Sequence, residues 1–86
     1  MESRLIAVKV RLFASLREIA GAGQVSIQLR DRSTVGDLRK MIFAIYPAMS
    51  GIRYPIAVAL NGAIADDATT LTDLDEVSLL PPVSGG

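Results

Sequence analysis

Two stretches of this sequence have the residue types and spacing to do chemistry. In "LTDLDEV", Asp73, Asp75 and Glu76 could form a paired-carboxylate site for acid–base work. At the end, "PPVSGG" runs from Pro81 to Gly86 and offers almost no side-chain functionality, so its working group would be the main-chain carboxylate of Gly86. Other chemistries lack their parts. The chain has no histidine and no cysteine, so Ser15, Ser26, Ser33, Ser50, Ser78 and Ser84 have no imidazole to activate them. There is likewise no thiolate or imidazole to ligate a metal. "GAG" at Gly21–Gly23 lacks the lysine and the helix that a phosphate cradle requires. The three carboxylates stand just before a strand, and aspartate favours turns, so they are read as a solvated turn. No catalytic residue and no metal site is assigned.

The ending is different. At average glycine usage a chain finishes in Gly-Gly about once in 200 by chance, and taken alone it would also suit a frayed terminus. Glycines lack Cβ and can thread a narrow pocket. Pro81-Pro82 holds the chain extended at about 3.1 Å per residue. The result is a stiff stalk with a thin tip. A carboxylate is a poor electrophile, and ATP-derived acyl adenylate is the usual way to activate one.

The elements that must carry this tail fit one domain: 86 residues bury about 60–65% of the unfolded surface around one modest core. Nine basic residues balance nine acidic ones without long runs of either sign, against a nucleic-acid footprint and a polybasic membrane anchor. Half the residues are apolar and the mean hydropathy is +0.38, more than a small core needs, so some apolar surface is expected to face a partner. From Met41 to Ala65 Arg53 is the sole charge, but Pro47, Gly51, Pro55 and Asn61-Gly62 interrupt the stretch, and no membrane span is expected. Lys9 and Arg11 sit inside the first apolar segment, which is read as a strand and not as a signal peptide. Lack of cysteine fits a reducing, cytoplasmic compartment.

Leu5 to Phe13 alternates as a strand, with Ile6, Val8, Val10 and Leu12 on one face. "ASLREIAG" reads as one or two helical turns stopped by Gly21. "QVSIQL" alternates again and should pair antiparallel with the first strand. "DRSTVGDLRKMIFAIYP" is the main helix: Thr34 is its N-cap, Asp37 completes a capping box, and Pro47 ends it. Val35, Leu38, Met41, Ile42 and Ile45 form its apolar stripe. Gly36 in the first turn costs about 1 kcal/mol against alanine, which a close approach to a strand would explain. "IAVALNGAIA" is a hairpin about Asn61-Gly62, and "EVSLL" is a last strand ended by Pro81-Pro82. One helix covers one face, giving an α+β architecture with the second face open.

"VRLFASLREIAG", "LNG" and "LTDLDEVSLLPPVSGG" together resemble the small subunit of molybdopterin synthase, over essentially the whole chain. The resemblance implies a ubiquitin-like β-grasp domain at residues 1–80, a mixed sheet packed on one main helix, followed by an extended tail at 81–86. It implies that an E1-like activating enzyme uses ATP to adenylate Gly86, and that a desulfurase or rhodanese-type protein supplies the sulfur of a thiocarboxylate. The tail, Pro81, Pro82, Val83, Ser84 and Gly85, would enter the active site of the large subunit. Sulfur would pass there to cyclic pyranopterin monophosphate to build the dithiolene of molybdopterin. The chain itself would bind no cofactor and would be a non-catalytic donor, the partner supplying the catalytic side chains, in a heterotetramer. Phe13 and Leu80 are the candidate docking residues, with peripheral core as the alternative for both. Arg11 and Arg39 are read as solvated surface before contacts to acids of the partner. The family usually has glycine in the turn before "DEV", where this chain has Leu74; leucine resists positive φ, which leaves that turn's conformation open. Other readings are a carrier for thiamin, cysteine or tRNA thiolation, a protein modifier attached to lysines, and a β-grasp adaptor with an inert tail.

Overall fold

A computed structural model describes residues 4–51 and 56–81. In chain order they form β1 (Leu5–Leu12), α1 (Ala14–Ala20), β2 (Gln24–Arg30), α2 (Val35–Ile45), a 3-10 turn (Pro47–Gly51), β3 (Ala57–Leu60), β4 (Ala63–Ala65) and β5 (Glu76–Leu80). The strands make one mixed sheet in the order β2-β1-β5-β3-β4. Its centre is a parallel pair: Val10 lies opposite Val77 and Leu12 opposite Leu79. The two flanking hairpins are antiparallel.

Each element follows from local chemistry. In β1, Ile6, Val8, Val10 and Leu12 are buried while their neighbours are exposed, the period-two pattern of a half-buried strand. Helix α1 stops where Gly21 takes φ +74° and returns its N–H to the Arg17 carbonyl. Asn61 and Gly62 both adopt positive φ, the requirement of a tight two-residue hairpin turn. At the start of α2 both arms of the capping box form: the Asp37 N–H donates to Thr34 Oγ1 at 3.2 Å, and Asp37 Oδ2 accepts from the Thr34 N–H at 2.9 Å. Two orphan donors of the first turn are thereby satisfied.

A single cluster forms the core. Val8, Val10, Val58, Val77 and Leu79 come from the sheet, Leu16 from α1, Leu38 and Ile42 from α2 and Met49 from the 3-10 turn. Among the described residues no polar side chain is buried. Both helices and the 3-10 turn thus pack on one face, and the other face stays open.

Two expectations need correction, and one open point is answered. The buried stripe of α2 is Val35, Leu38 and Ile42; Met41 and Ile45 are 40% and 49% exposed, so the stripe that meets the sheet is narrower than the apolar one. The residue close to Gly36 belongs to a loop and not to a strand. A Cβ there would stand 3.2 Å from the Asp67 carbonyl oxygen, which accepts the Gly36 N–H at 3.0 Å. The turn before β5 needs no glycine: positive φ occurs at Ala14, Arg32 and Asn61 and not at Leu74, whose side chain is 87% exposed.

Candidate functional site: the open sheet face and the chain end

Side chains alternate across a sheet. With Val10, Val77 and Val58 in the core, the residues that follow them, Arg11, Ser78 and Ala59, face the open side. Register aligns these in one row that runs from Gln24 on β2 to Ile64 on β4. A second row sets Leu80 beside Ala57, and a third sets Lys9 beside Glu76.

The two halves of this face differ chemically. On β1 and β2 it shows Lys9, Arg11, Gln24 and Ser26. On β5, β3 and β4 it shows Leu80, Ala57, Ala59 and Ile64, all small or apolar, together with Ser78 and, at the start of β5, the charged Glu76. Phe13 follows the Leu12–Leu79 pair and so stands at the level of half-buried Leu80. Its side chain is 44% exposed, and positive φ at Ala14 turns the chain into α1 immediately after it. Phe13 and Leu80 therefore share the end of the sheet from which Pro81 leads away. Ile64, 68% exposed, belongs to the same apolar half and was missed from the sequence. Its signal was there: in "NGAIA" it is the large residue of a three-residue hairpin arm. Of the tail residues, Pro81 is described and half-buried; Pro82, Val83, Ser84, Gly85 and Gly86 lie outside the described residues.

Other residues singled out from the sequence are committed within the fold. Arg39 pairs with Asp67 at 3.1 Å and also donates to the Ile56 carbonyl. It ties α2 to the chain entering β3 and is not a free docking cation. Arg11 is exposed on the polar half. Of the acids before β5, Asp75 accepts from the Thr72 N–H at 2.8 Å and from Asn61 Nδ2 at 3.0 Å. Asn61 Oδ1 accepts the Glu76 N–H at 2.9 Å, so the β3–β4 turn and the turn before β5 are laced together. Burial pushes the Asp75 carboxyl up, but the bonds from Asn61 and Thr72 outweigh it, and its pKa lies below the ordinary 3.8. Asp37 is likewise lowered, chiefly by the Thr34 N–H. Asp75 thus locks a turn and Asp37 caps a helix, and among the described residues no group of three or more acids gathers as a metal site. Among them, too, no helix is long and apolar enough to cross a membrane.

Comparison with known proteins gives the same outline. The ThiS family model matches residues 10–86. A molybdopterin synthase sulfur carrier subunit from Chlamydomonas reinhardtii is 37% identical, over 92% of this chain and 98% of that protein. Small archaeal modifier protein 1 from Haloferax volcanii is 36% identical, over 88% and 97%; its crystal structure superposes with a TM-score of 0.81, covering 91% and 99%. A chain of the complex of subunits 1 and 2 of the molybdopterin-converting factor from Helicobacter pylori is 30% identical with a TM-score of 0.67, covering 94% and 100%. A ubiquitin from Caldiarchaeum subterraneum, at 20% identity and a TM-score of 0.62 over 96% and 100% of the two chains, shares the fold. The expected ubiquitin-like β-grasp is the fold observed.

Proposed function

The chain belongs to the ThiS family, and from that premise we propose that it is the sulfur-carrier subunit of a molybdopterin synthase. The observation that carries this reading is the near end-to-end similarity to the Chlamydomonas sulfur carrier subunit. The geometry supports it in two ways. An exposed apolar half-face, bearing Phe13, Leu80 and Ile64, offers a surface for a large subunit. The chain leaves β5 at Pro81 beside that surface, so a partner seated there would receive the tail.

In this reading Gly86 is the reacting end. Attack of its carboxylate on ATP, in the active site of an activating enzyme, gives an acyl adenylate and releases pyrophosphate. The outer sulfur of a persulfide on a desulfurase or rhodanese-type protein displaces AMP to give an acyl disulfide, and a thiol reductant then cleaves the S–S bond, leaving a thiocarboxylate on Gly86 and a disulfide on the donor side. Pro81, Pro82, Val83, Ser84 and Gly85 then carry the sulfur into the large subunit, where it is transferred to cyclic pyranopterin monophosphate. A dithiolene holds two sulfurs, so two deliveries complete each product. The domain of residues 1–80 positions the tail, and the partner supplies the catalytic groups.

The test is intact-mass analysis after incubation with the activating enzyme, ATP and a sulfur donor. The expected result is a mass gain matching oxygen replaced by sulfur at Gly86, and loss of that gain when the large subunit and the pterin precursor are added. A chain extended by one residue beyond Gly86 should fold and gain nothing. Sulfur that stays on Gly86 in the presence of both would overturn the molybdopterin assignment. The similarity to an archaeal modifier protein favours a second reading, covalent attachment to lysines, which lysine-linked conjugates of this chain would reveal.

A further inference from the structure

At the edge of the sheet opposite to β4, β2 has no strand on its outer side among the described residues. Its hydrogen-bond phase follows from one contact. The Leu12 N–H donates to the Gly23 carbonyl at 2.9 Å, and the antiparallel register pairs Val10 with Val25, Val8 with Ile27 and Ile6 with Leu29. Bonding alternates residue by residue in such a pair. The N–H and C=O groups of Val25, Ile27 and Leu29 therefore point to β1, and those of Gln24, Ser26, Gln28 and Arg30 point outward. This edge lacks the usual protections: from Gln24 to Arg30 there is no proline, and Arg30 is its sole charge.

Beside the C-terminal half of β2 lies a groove of about 520 Å³. Its far wall is one face of α2, Asp37, Lys40, Met41 and Ala44, which are neighbours at helical spacing. Met41, exposed and apolar, forms its greasy floor. Arg30 and Lys40 flank it, and its one carboxylate, Asp37, is engaged by the Thr34 N–H. The groove thus offers a ladder of backbone donors and acceptors, an apolar wall and an excess of positive charge.

We propose that this edge binds an extended segment of another protein, added as a sixth strand beside β2, with apolar residues at alternate positions and acidic residues where it passes Arg30 and Lys40. Main-chain bonds to the outward set supply affinity, and the alternate side chains that enter the groove supply selectivity. The acids complement Arg30 and Lys40, and a segment with basic flanks would be repelled. The surface is separate from the apolar half-face, so the inference stands independently of the carrier reading.

The probe is a short synthetic peptide of alternating valine and threonine followed by three aspartates, titrated into the isotopically labelled full chain and followed by amide NMR. Shifts should concentrate on Gln24–Arg30 and on Lys40–Ala44. Replacing the aspartates by lysines should weaken binding by about tenfold or more. Ser26→Pro removes an outward donor and no β1–β2 bond, so it should keep the melting temperature and the loading of sulfur on Gly86 while abolishing the shifts. If Ser26→Pro disturbs folding, Met41→Glu is the second variant: its side chain is already exposed, and a carboxylate in the groove should abolish the shifts by removing the apolar contact and repelling the aspartates. Shifts confined to the open face, equal binding of the lysine peptide, or self-association of the chain through β2 would each overturn the proposal.

Discussion

Asp75 shows how a residue with catalytic chemistry becomes a structural one. Its two oxygens receive the Thr72 N–H and the Asn61 amide, so ionisation is favoured in the folded chain despite some burial. A carboxylate whose pKa is lower folded than unfolded adds stability above its ordinary value of 3.8 and loses it as pH falls through the lowered folded value. Asp37 has the same sign for the same kind of reason. Asp75→Asn would put an amide donor against the Thr72 N–H or lose the bond from Asn61. The variant should be about 1–2 kcal/mol less stable at pH 7 and should lose less stability than the parent between pH 5 and pH 2. Thermal melts across that range decide it; parallel acid slopes would mean that another group carries the dependence. The role of Asp75 as a turn residue was legible in the sequence, whereas its partner Asn61 was legible only as a hairpin residue. No local pattern says that two distant turns meet.

At the scale of elements, the same contrast separates α2 from its surroundings. The N-cap, the capping box and the stop at Pro47 are local signals, and they form as the sequence says. The exposure of Met41 and Ile45 is not local. It depends on how α2 is seated on the sheet, which helical spacing cannot encode. Gly36 is the sharper case. Alanine there gains about 1 kcal/mol of helix propensity, but its Cβ would stand 3.2 Å from a backbone carbonyl oxygen that Gly36 itself holds by a hydrogen bond. The Asp67 loop is further held by Arg39, so it has little room to give. Gly36→Ala should therefore destabilise the chain by about 1 kcal/mol or more instead of stabilising it, as read by urea unfolding. A stabilised variant would show that the loop yields.

For the whole molecule, what the strands alone could not reveal is their order. Alternation along "EVSLL" is enough to place Ser78 and Leu80 on the open face, but the insertion of β5 between β1 and β3 is what brings Phe13 level with Leu80. It also splits the face into a polar half and an apolar half. That split yields a prediction about the large subunit. Phe13→Ala and Leu80→Ala should each weaken association by about 1–3 kcal/mol, the loss expected when a large apolar side chain at the centre of an interface is removed. Lys9→Ala, on the polar half, should change it by less than about 0.5 kcal/mol. Titration calorimetry with the purified large subunit measures all three. Melting temperatures separate docking from folding, since Phe13 is exposed and its loss should leave the core intact. If Lys9 proves the costlier substitution, the partner sits over β1 and β2, and the tail would have to cross the sheet to reach it. With Phe13 and Leu80 dominant, the partner lies where Pro81 already points.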